Sequence, residues 1–482
     1  MITYLRKIGD VPAVNSLDVK ESPIGIGFEK LDRNVFDPEK AYDKVAAIGV
    51  KWIRIQSGWA RTEQTKGVYS FEWLDTIIDN LLARGLRPWM CLCYGNGLYD
   101  EKAAKVYGAV GCPPIHTTEQ KNAWSNYVAA VTERYRGKVD WFEIWNEPDG
   151  SWCWKHGPSG TEYGNFVQDT AKAIKTGNPE AKIIGGSCCL KDFEWMNEVF
   201  RTGAVKVMDA FSFHNYTIDE QESFKTVAGI KELCRLYNPK MEVIQGETVT
   251  QSRSDGAGAL RGGAWNPKRQ AKSLLRTTMT DLMLQVKFTS YFSCMDMIEA
   301  LNGDVNEKET WQDYGYFGVL AADFDENGFS TGEYSPKPSY RTLQVIASIF
   351  REKFSVEQLP IRFYELHSDR IFGKDDPGKE ITCCGFRKPN GSAGFVYWHS
   401  TNMLKYTYES TISLGAVMLP GKVQLIDLLD GSIYELGEKQ LIDNQCGFRL
   451  FRNIPVFDYP LLLTFGDFID ASETVGKESR IY

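Results

Sequence analysis

The chain has 482 residues, 43% of them hydrophobic and 13% aromatic, which is enough for a large core and more than one domain. Its net charge is −8 and no long basic run appears, which argues against nucleic acid or an anionic membrane as partner, because both reward clustered Lys and Arg. No apolar run is long enough to cross a bilayer, and the start, Met1 to Asp10, lacks the basic and apolar regions of a secretory signal, so a cytoplasmic protein is expected. The 11 cysteines are scattered and odd in number; they read as small buried hydrophobes of a reducing compartment.

Residues 1–20 show short apolar alternations and no helix, and are expected to form an extended arm that packs on a later β domain. From Ile24 the chain repeats strand and helix. Strands are expected over 24–28, 50–56, 86–94, 139–146, 182–186, 208–214, 241–245 and 287–294. The first helix should open at Asp37-Pro38, a good cap and first-turn pair. Further helices are expected over 71–84, 118–135, 161–176, 191–201, 222–236, 268–285 and 339–352. Eight strand–helix units, with strands apolar on both faces, call for a (β/α)8 barrel over 21–354. A doubly wound open sheet is the alternative, but no Gly-rich phosphate loop follows the first strand.

After Phe354 the pattern becomes short strands: 361–367, 381–387, 394–399, 423–429, 432–436, 448–451 and 461–465. Turns such as Asp430-Gly431 separate them, a strong hairpin signal. The segment 355–482 therefore reads as an antiparallel β-sandwich.

The stretch Trp141-Phe-Glu-Ile-Trp-Asn-Glu-Pro-Asp149 starts as a strand and stops at Pro148, leaving Glu147 at the strand end beside Asn146. A second strand, Met241-Glu-Val-Ile-Gln-Gly-Glu247, also ends in a glutamate. Two carboxylates at the ends of strands four and seven suit glycoside hydrolysis, which needs one proton donor and one nucleophile or base. Arg54 closes strand two, His214 strand six and Asp296 strand eight, so all face the rim where barrel active sites form. Each has a structural alternative: a solvated rim glutamate, an internal ion pair for Arg54, a satisfied strand-end histidine. Trp59, Trp152, Trp154 and Trp265 lie on loops above the rim and could stack on sugar faces or anchor the loops. His156, Arg253 and Arg261 read as solvated loop positions. No metal-ligand spacing, Gly-x-Ser-x-Gly elbow or dinucleotide fingerprint is present, so neither metal nor cofactor is expected.

Trp145-Asn146-Glu147-Pro148, followed by Asp149, resembles the Asn-Glu-Pro signature of the large clan of retaining (β/α)8 glycoside hydrolases with carboxylates on strands four and seven. The chain is closest to family 39, which includes β-xylosidases; the resemblance covers about residues 24–350. It implies Glu147 as general acid/base, Glu247 as nucleophile and Asn146 on the sugar 2-hydroxyl. It also implies that Arg54, His214 and Tyr216 hold and tune Glu247, and that Asp296 and Glu299 are the acidic residues after strand eight. Three departures are visible: Phe292 near a usual Trp, Gly246 before Glu247 where threonine is more usual, and the Gly- and Arg-rich loop 251–265, which aligns with no counterpart in the family.

The expected function is therefore a retaining, exo-acting, β-xylosidase-like glycosidase on an oligosaccharide or glycoside. An inactive carbohydrate-binding barrel, or an arabinofuranosidase, galactosidase or transglycosylase of the same clan, are the alternatives. Oligomeric state, a homo-oligomer included, is not set by the sequence. Retention requires carboxyl groups about 5–5.5 Å apart, with the charged nucleophile keeping the acid protonated.

Overall fold

The computed structural model describes residues 2–301, 303–366, 381–444 and 446–469. Eight parallel strands close into a barrel: β1 Ile24–Gly27, β2 Trp52–Gln56, β3 Arg87–Leu92, β4 Trp141–Ile144, β5 Lys182–Cys188, β6 Ala210–His214, β7 Glu242–Thr248 and β8 Thr289–Tyr291. They are buried on both faces because side chains such as Ile53, Ile55, Phe142, Ile144, Phe211 and Phe213 are fully covered, outward by helices and inward by the barrel core. β1 pairs with both β2 and β8, which closes the sheet.

The outer helices lie close to the expected spans. Glu72–Ala83, Thr118–Arg134, Gly160–Gly177, Phe193–Arg201, Glu220–Tyr237, Pro267–Met283 and Pro338–Ile349 follow β2 to β8 in turn. Their starts are set by local chemistry: Thr117 and Gln120 form a reciprocal cap, and Asn266 caps the helix that opens on Pro267. Asp37 caps only a 3-10 turn, Pro38–Lys40, and the helix behind β1 is the short Tyr42–Ala46. The connection after β8 holds a hairpin, Leu320–Phe324 with Ser330–Pro336, and a two-residue pair, Met297–Ile298 with Tyr314–Gly315. The Ser330–Pro336 strand carries exposed polar residues, and the pair Met297–Ile298 and Tyr314–Gly315 is only two residues long on each side, so periodicity does not reveal them.

Beyond the barrel lie two antiparallel sheets. One has seven strands in the order Arg6–Asp10, Ser432–Glu435, Val423–Asp427, Leu461–Phe465, Ala393–His399, Ile381–Arg387 and Ser355–Glu357. The other has Ile361–Leu366, Glu409–Val417, Phe448–Phe457 and Leu441–Asp443. The strand Phe448–Phe457 passes the expected stop at 451 even though it contains Pro455, whose carbonyl accepts from the Tyr397 hydroxyl at 2.9 Å. His367, the end of one expected strand, lies outside the described residues. The sheets dock on the barrel through buried polar contacts: Lys272 Nζ to Asp458 Oδ1 at 2.6 Å, and Arg276 Nη1 to the Thr401 carbonyl at 2.7 Å. Among the described residues, no helix is long and apolar enough to cross a membrane.

Candidate active site

The β4 ladder ends at Ile144, so Glu147 stands three residues past it rather than at the last strand position. Trp145 and Glu147 both adopt left-handed backbone, φ 68° and 45°, a conformation that non-glycine residues hold only when neighbours enforce it. The enforcement is visible. Trp145 is fully buried and donates to the Cys153 carbonyl at 2.7 Å, and the Glu147 amide donates to the Ser187 carbonyl at 3.0 Å. Asp149 accepts from the amides of Cys189 and Leu190 at 2.9 and 2.7 Å, which ties this loop to the end of β5.

Glu247 arrives on β7 opposite His214 of β6. Arg54, fully buried, joins the two halves of the site. Its Nη1 lies 2.8 Å from Glu247 Oε2 and 3.0 Å from Glu29 Oε2, its Nε 2.7 Å from Glu143 Oε2, and its Nη2 2.8 Å from Asn146 Oδ1. The planar fork suits this cluster because its donors diverge at fixed angles. His214 Nδ1 lies 2.8 Å from Glu147 Oε1 but 3.9 Å from Glu247, so it serves the first glutamate more directly than the second. Ser187 Oγ, 3.1 Å from Nε2, orients the ring from behind. The Tyr216 hydroxyl bridges the glutamates, 3.0 Å from Glu147 Oε1 and in hydrogen bond with Glu247 Oε1. Trp152 donates its indole N–H to Glu147 Oε2. Gly246 has a local reason: a Cβ there would lie 2.3 Å from Ser212 Oγ and 3.3 Å from Glu143 Oε1.

Burial raises the Glu147 carboxyl, but the hydrogen bond and charge of His214, then Trp152 and Tyr216, outweigh it and hold the group below its usual range. Burial dominates at Glu247 and lifts it, against the opposing pull of His214 and Arg54. His214 is itself raised, since Glu247 and Glu147 overcome the burial that works against its charge. Burial and the neighbouring charges thus push the two carboxyl groups in opposite directions, Glu147 down and Glu247 up, where the sequence led to the opposite order. The two carboxyl groups behave as one dyad, bridged by Tyr216.

These groups open on a cavity of about 420 Å³. Asn146, Glu147, Trp152, Tyr216, Glu247 and Glu299 line it, Glu299 paired with Lys30 at 3.3 Å. Arg261, expected to be solvated, reaches the wall, while Arg253 pairs with Asp255 and His156 with Glu162 elsewhere. Three of the tryptophans do not line it. Trp59 is packed between Tyr99 and Tyr127 with its N–H on Glu63; Trp154 is packed against Trp145 and Tyr163; Trp265 donates to the Leu260 carbonyl at 2.8 Å. All three are core anchors of loops, because an indole is large enough to be buried wherever a loop must be held. Asp296 also lies off the cavity, paired with Lys337 at 2.6 Å and accepting from the Gly318 amide. Glu29, Lys30, Tyr94, Phe292 and Trp311 line the cavity without having been singled out as sugar contacts. Glu29 carries the same signal as Glu247, a carboxylate just past a buried apolar strand. Glu143 was legible as a charge inside a buried strand, which demands a partner.

Among the described residues, Glu147, His214 and Glu247 also form the one group with metal-ligand geometry, one ligand atom from each lying within 4.8 Å of the others.

The family model for glycosyl hydrolases family 39 matches residues 38–252. Over 335 residues the chain is 24% identical to a β-xylosidase of Caldicellulosiruptor saccharolyticus, covering 64% of each chain. Over 165 residues it is 28% identical to a β-xylosidase of Geobacillus stearothermophilus, covering 32% of each. The matches thus span less than two thirds of these curated relatives. A family 39 glycoside hydrolase from the gut symbiont Bacteroides cellulosilyticus WH2 has the same fold, with TM-score 0.65 and 17% identity over 94% of this chain and 83% of that one.

Proposed function

We propose that this chain, whose residues 38–252 match the family model for glycosyl hydrolases family 39, is a retaining, exo-acting, β-xylosidase-like glycosidase working by double displacement. One observation carries the proposal: Tyr216 bridges Glu147 and Glu247, which have oxygens within 4.8 Å of one another in the wall of one cavity. That proximity suits direct attack by one carboxylate while the other serves the leaving oxygen; an inverting pair stands about 6.5–9.5 Å apart to admit a water.

In the first step Glu247, as the anion, bonds to the anomeric carbon while the glycosidic C–O bond breaks and Glu147 gives its proton to the departing oxygen. The Tyr216 hydroxyl, in contact with both carboxyl groups, links them during this step. Arg54 favours the charged form of Glu247 and steadies Asn146 for a sugar hydroxyl. In the second step Glu147, now ionised, takes a proton from water, whose oxygen displaces Glu247 and restores the starting configuration. The His214 imidazole stabilises that anion across 2.8 Å. Loops after β1 and after β3 to β8 supply the cavity wall, which supports exo-cleavage of a short glycoside. The 11 free thiols support a cytoplasmic site of action.

A panel of aryl glycosides tests this. Hydrolysis of one with retained anomeric configuration, lost in Glu247→Ala and partly restored by azide, is the expected result. Saturable sugar binding without turnover would replace the enzyme by a binding protein, and an inverted product would remove the double displacement.

A further inference from the structure

Resting on the glycosidase assignment, we propose that Glu29 is a third carboxyl group of the active site and that its Oε1 takes a hydroxyl of the sugar whose anomeric carbon Glu247 attacks. Glu29 stands two residues past β1 and forms part of the cavity wall, yet it is only 2% exposed. One of its oxygens is occupied: Oε2 lies 3.0 Å from Arg54 Nη1, the same nitrogen that holds Glu247 Oε2 at 2.8 Å. The other, Oε1, is buried and has no hydrogen-bond partner among the described residues. A buried carboxyl oxygen without a partner is costly, and Glu29 forms part of the wall of a sugar-sized cavity, whose occupant can supply that partner as a hydroxyl.

The surroundings keep that oxygen where it is. Gly27 faces it, and a Cβ at that position would come within 2.8 Å of Oε1; Phe292 closes the same side. The shared Nη1 places Glu29 on the Glu247 side of the cavity, whereas Trp152 and His214 stand against Glu147. Glu29 therefore addresses the glycone rather than the leaving group. Burial pushes its carboxyl up to about 8, with Glu247 and Glu143 adding to the rise and Arg54 and His214 opposing it. A neutral carboxyl can donate to a sugar oxygen as well as accept from a hydroxyl, so it tolerates either hydroxyl orientation.

The test uses an aryl glycoside that the wild-type protein hydrolyses, together with its 2-, 3- and 4-deoxy counterparts, so that failure of the glycosidase assignment shows separately as absence of wild-type turnover. Each is assayed with the wild type, Glu29→Ala and Glu29→Met; the methionine fills the same volume and guards against collapse of the site. The expected wild-type penalty for the deoxy substrate lacking the contacted hydroxyl is roughly 10- to 100-fold in kcat/KM. Both variants should lose about that factor on the parent glycoside and show little further loss on that one analogue, with the other deoxy penalties unchanged. A full set of deoxy penalties identical in wild type and variants would overturn the contact, since a purely structural Glu29 slows every substrate alike.

Discussion

Replacing Arg54 by methionine probes the centre of the site. The side chain is fully buried and contacts Glu29, Glu143 and Glu247 at 2.7 to 3.0 Å, with Asn146 as a fourth partner at 2.8 Å. Removing one partner of a buried ion pair costs about 3–5 kcal/mol, because the remaining charge has lost its solvent and its partner. Here three carboxyl groups lose their shared cation, so the upper end of that range is expected for global stability, moderated as Glu143 takes up a proton. Activity should fall as well. Arg54 pulls Glu247 toward its ionised form against burial, so without it Glu247 is ionised in fewer molecules, and under the proposed mechanism the acidic limb of the rate profile moves to higher pH. The lost charge-assisted contacts to Glu247 and the lost support of Asn146 are worth about 1.5–3 kcal/mol each, or roughly 10²–10⁴ in kcat. Arg54→Lys keeps the charge without the fork and should recover stability more than rate. Denaturant unfolding and aryl-glycoside kinetics over pH read both effects. Wild-type stability within about 0.5 kcal/mol, with kcat within about threefold, would refute the account of Arg54 as the shared cation of the cluster.

Three further outcomes are expected. Trp152→Phe keeps a ring in the cavity wall but removes the N–H on Glu147, and should lower kcat by roughly tenfold with KM little changed, measured on the same glycoside. Gly246→Ala places a methyl against Ser212 and Glu143 and should cost about 1–3 kcal/mol by denaturant titration, with a loss of rate as Glu247 shifts. Asp281, buried on the helix Pro267–Met283 with Thr289 of β8 on its Oδ2, is pushed up by burial to about 7. A carboxyl raised on folding favours the native state most below its unfolded value near 3.8, and that contribution is lost as pH climbs to about 7. Asp281→Asn removes this dependence, so its stability relative to wild type should increase between those pH values; a constant difference across the window would show that Asp281 does not titrate there.

The barrel was legible because its strands are apolar on both faces and its helices carry caps such as Thr117 and Asn266. The pair Glu147 and Glu247 was legible too, each following an apolar run that must be buried. Those signals are local, written in consecutive residues. What the linear chain could not reveal was which neighbours fold beside them. Trp59, Trp154 and Trp265 share their residue type with Trp152, yet only Trp152 turns to the cavity, because packing against distant rings settles where an indole points. Glu29 and Glu143 become site residues only when β1, β2 and β4 bring them around Arg54. Proton affinity is decided at the same level: carboxyl groups with the same intrinsic chemistry are pushed apart by burial and by the charges within a few ångströms. Residue order therefore determined the barrel and the candidate pair, while tertiary closure alone decided the wall of the cavity and the direction in which each carboxyl group is shifted, since both depend on contacts between residues remote in the chain.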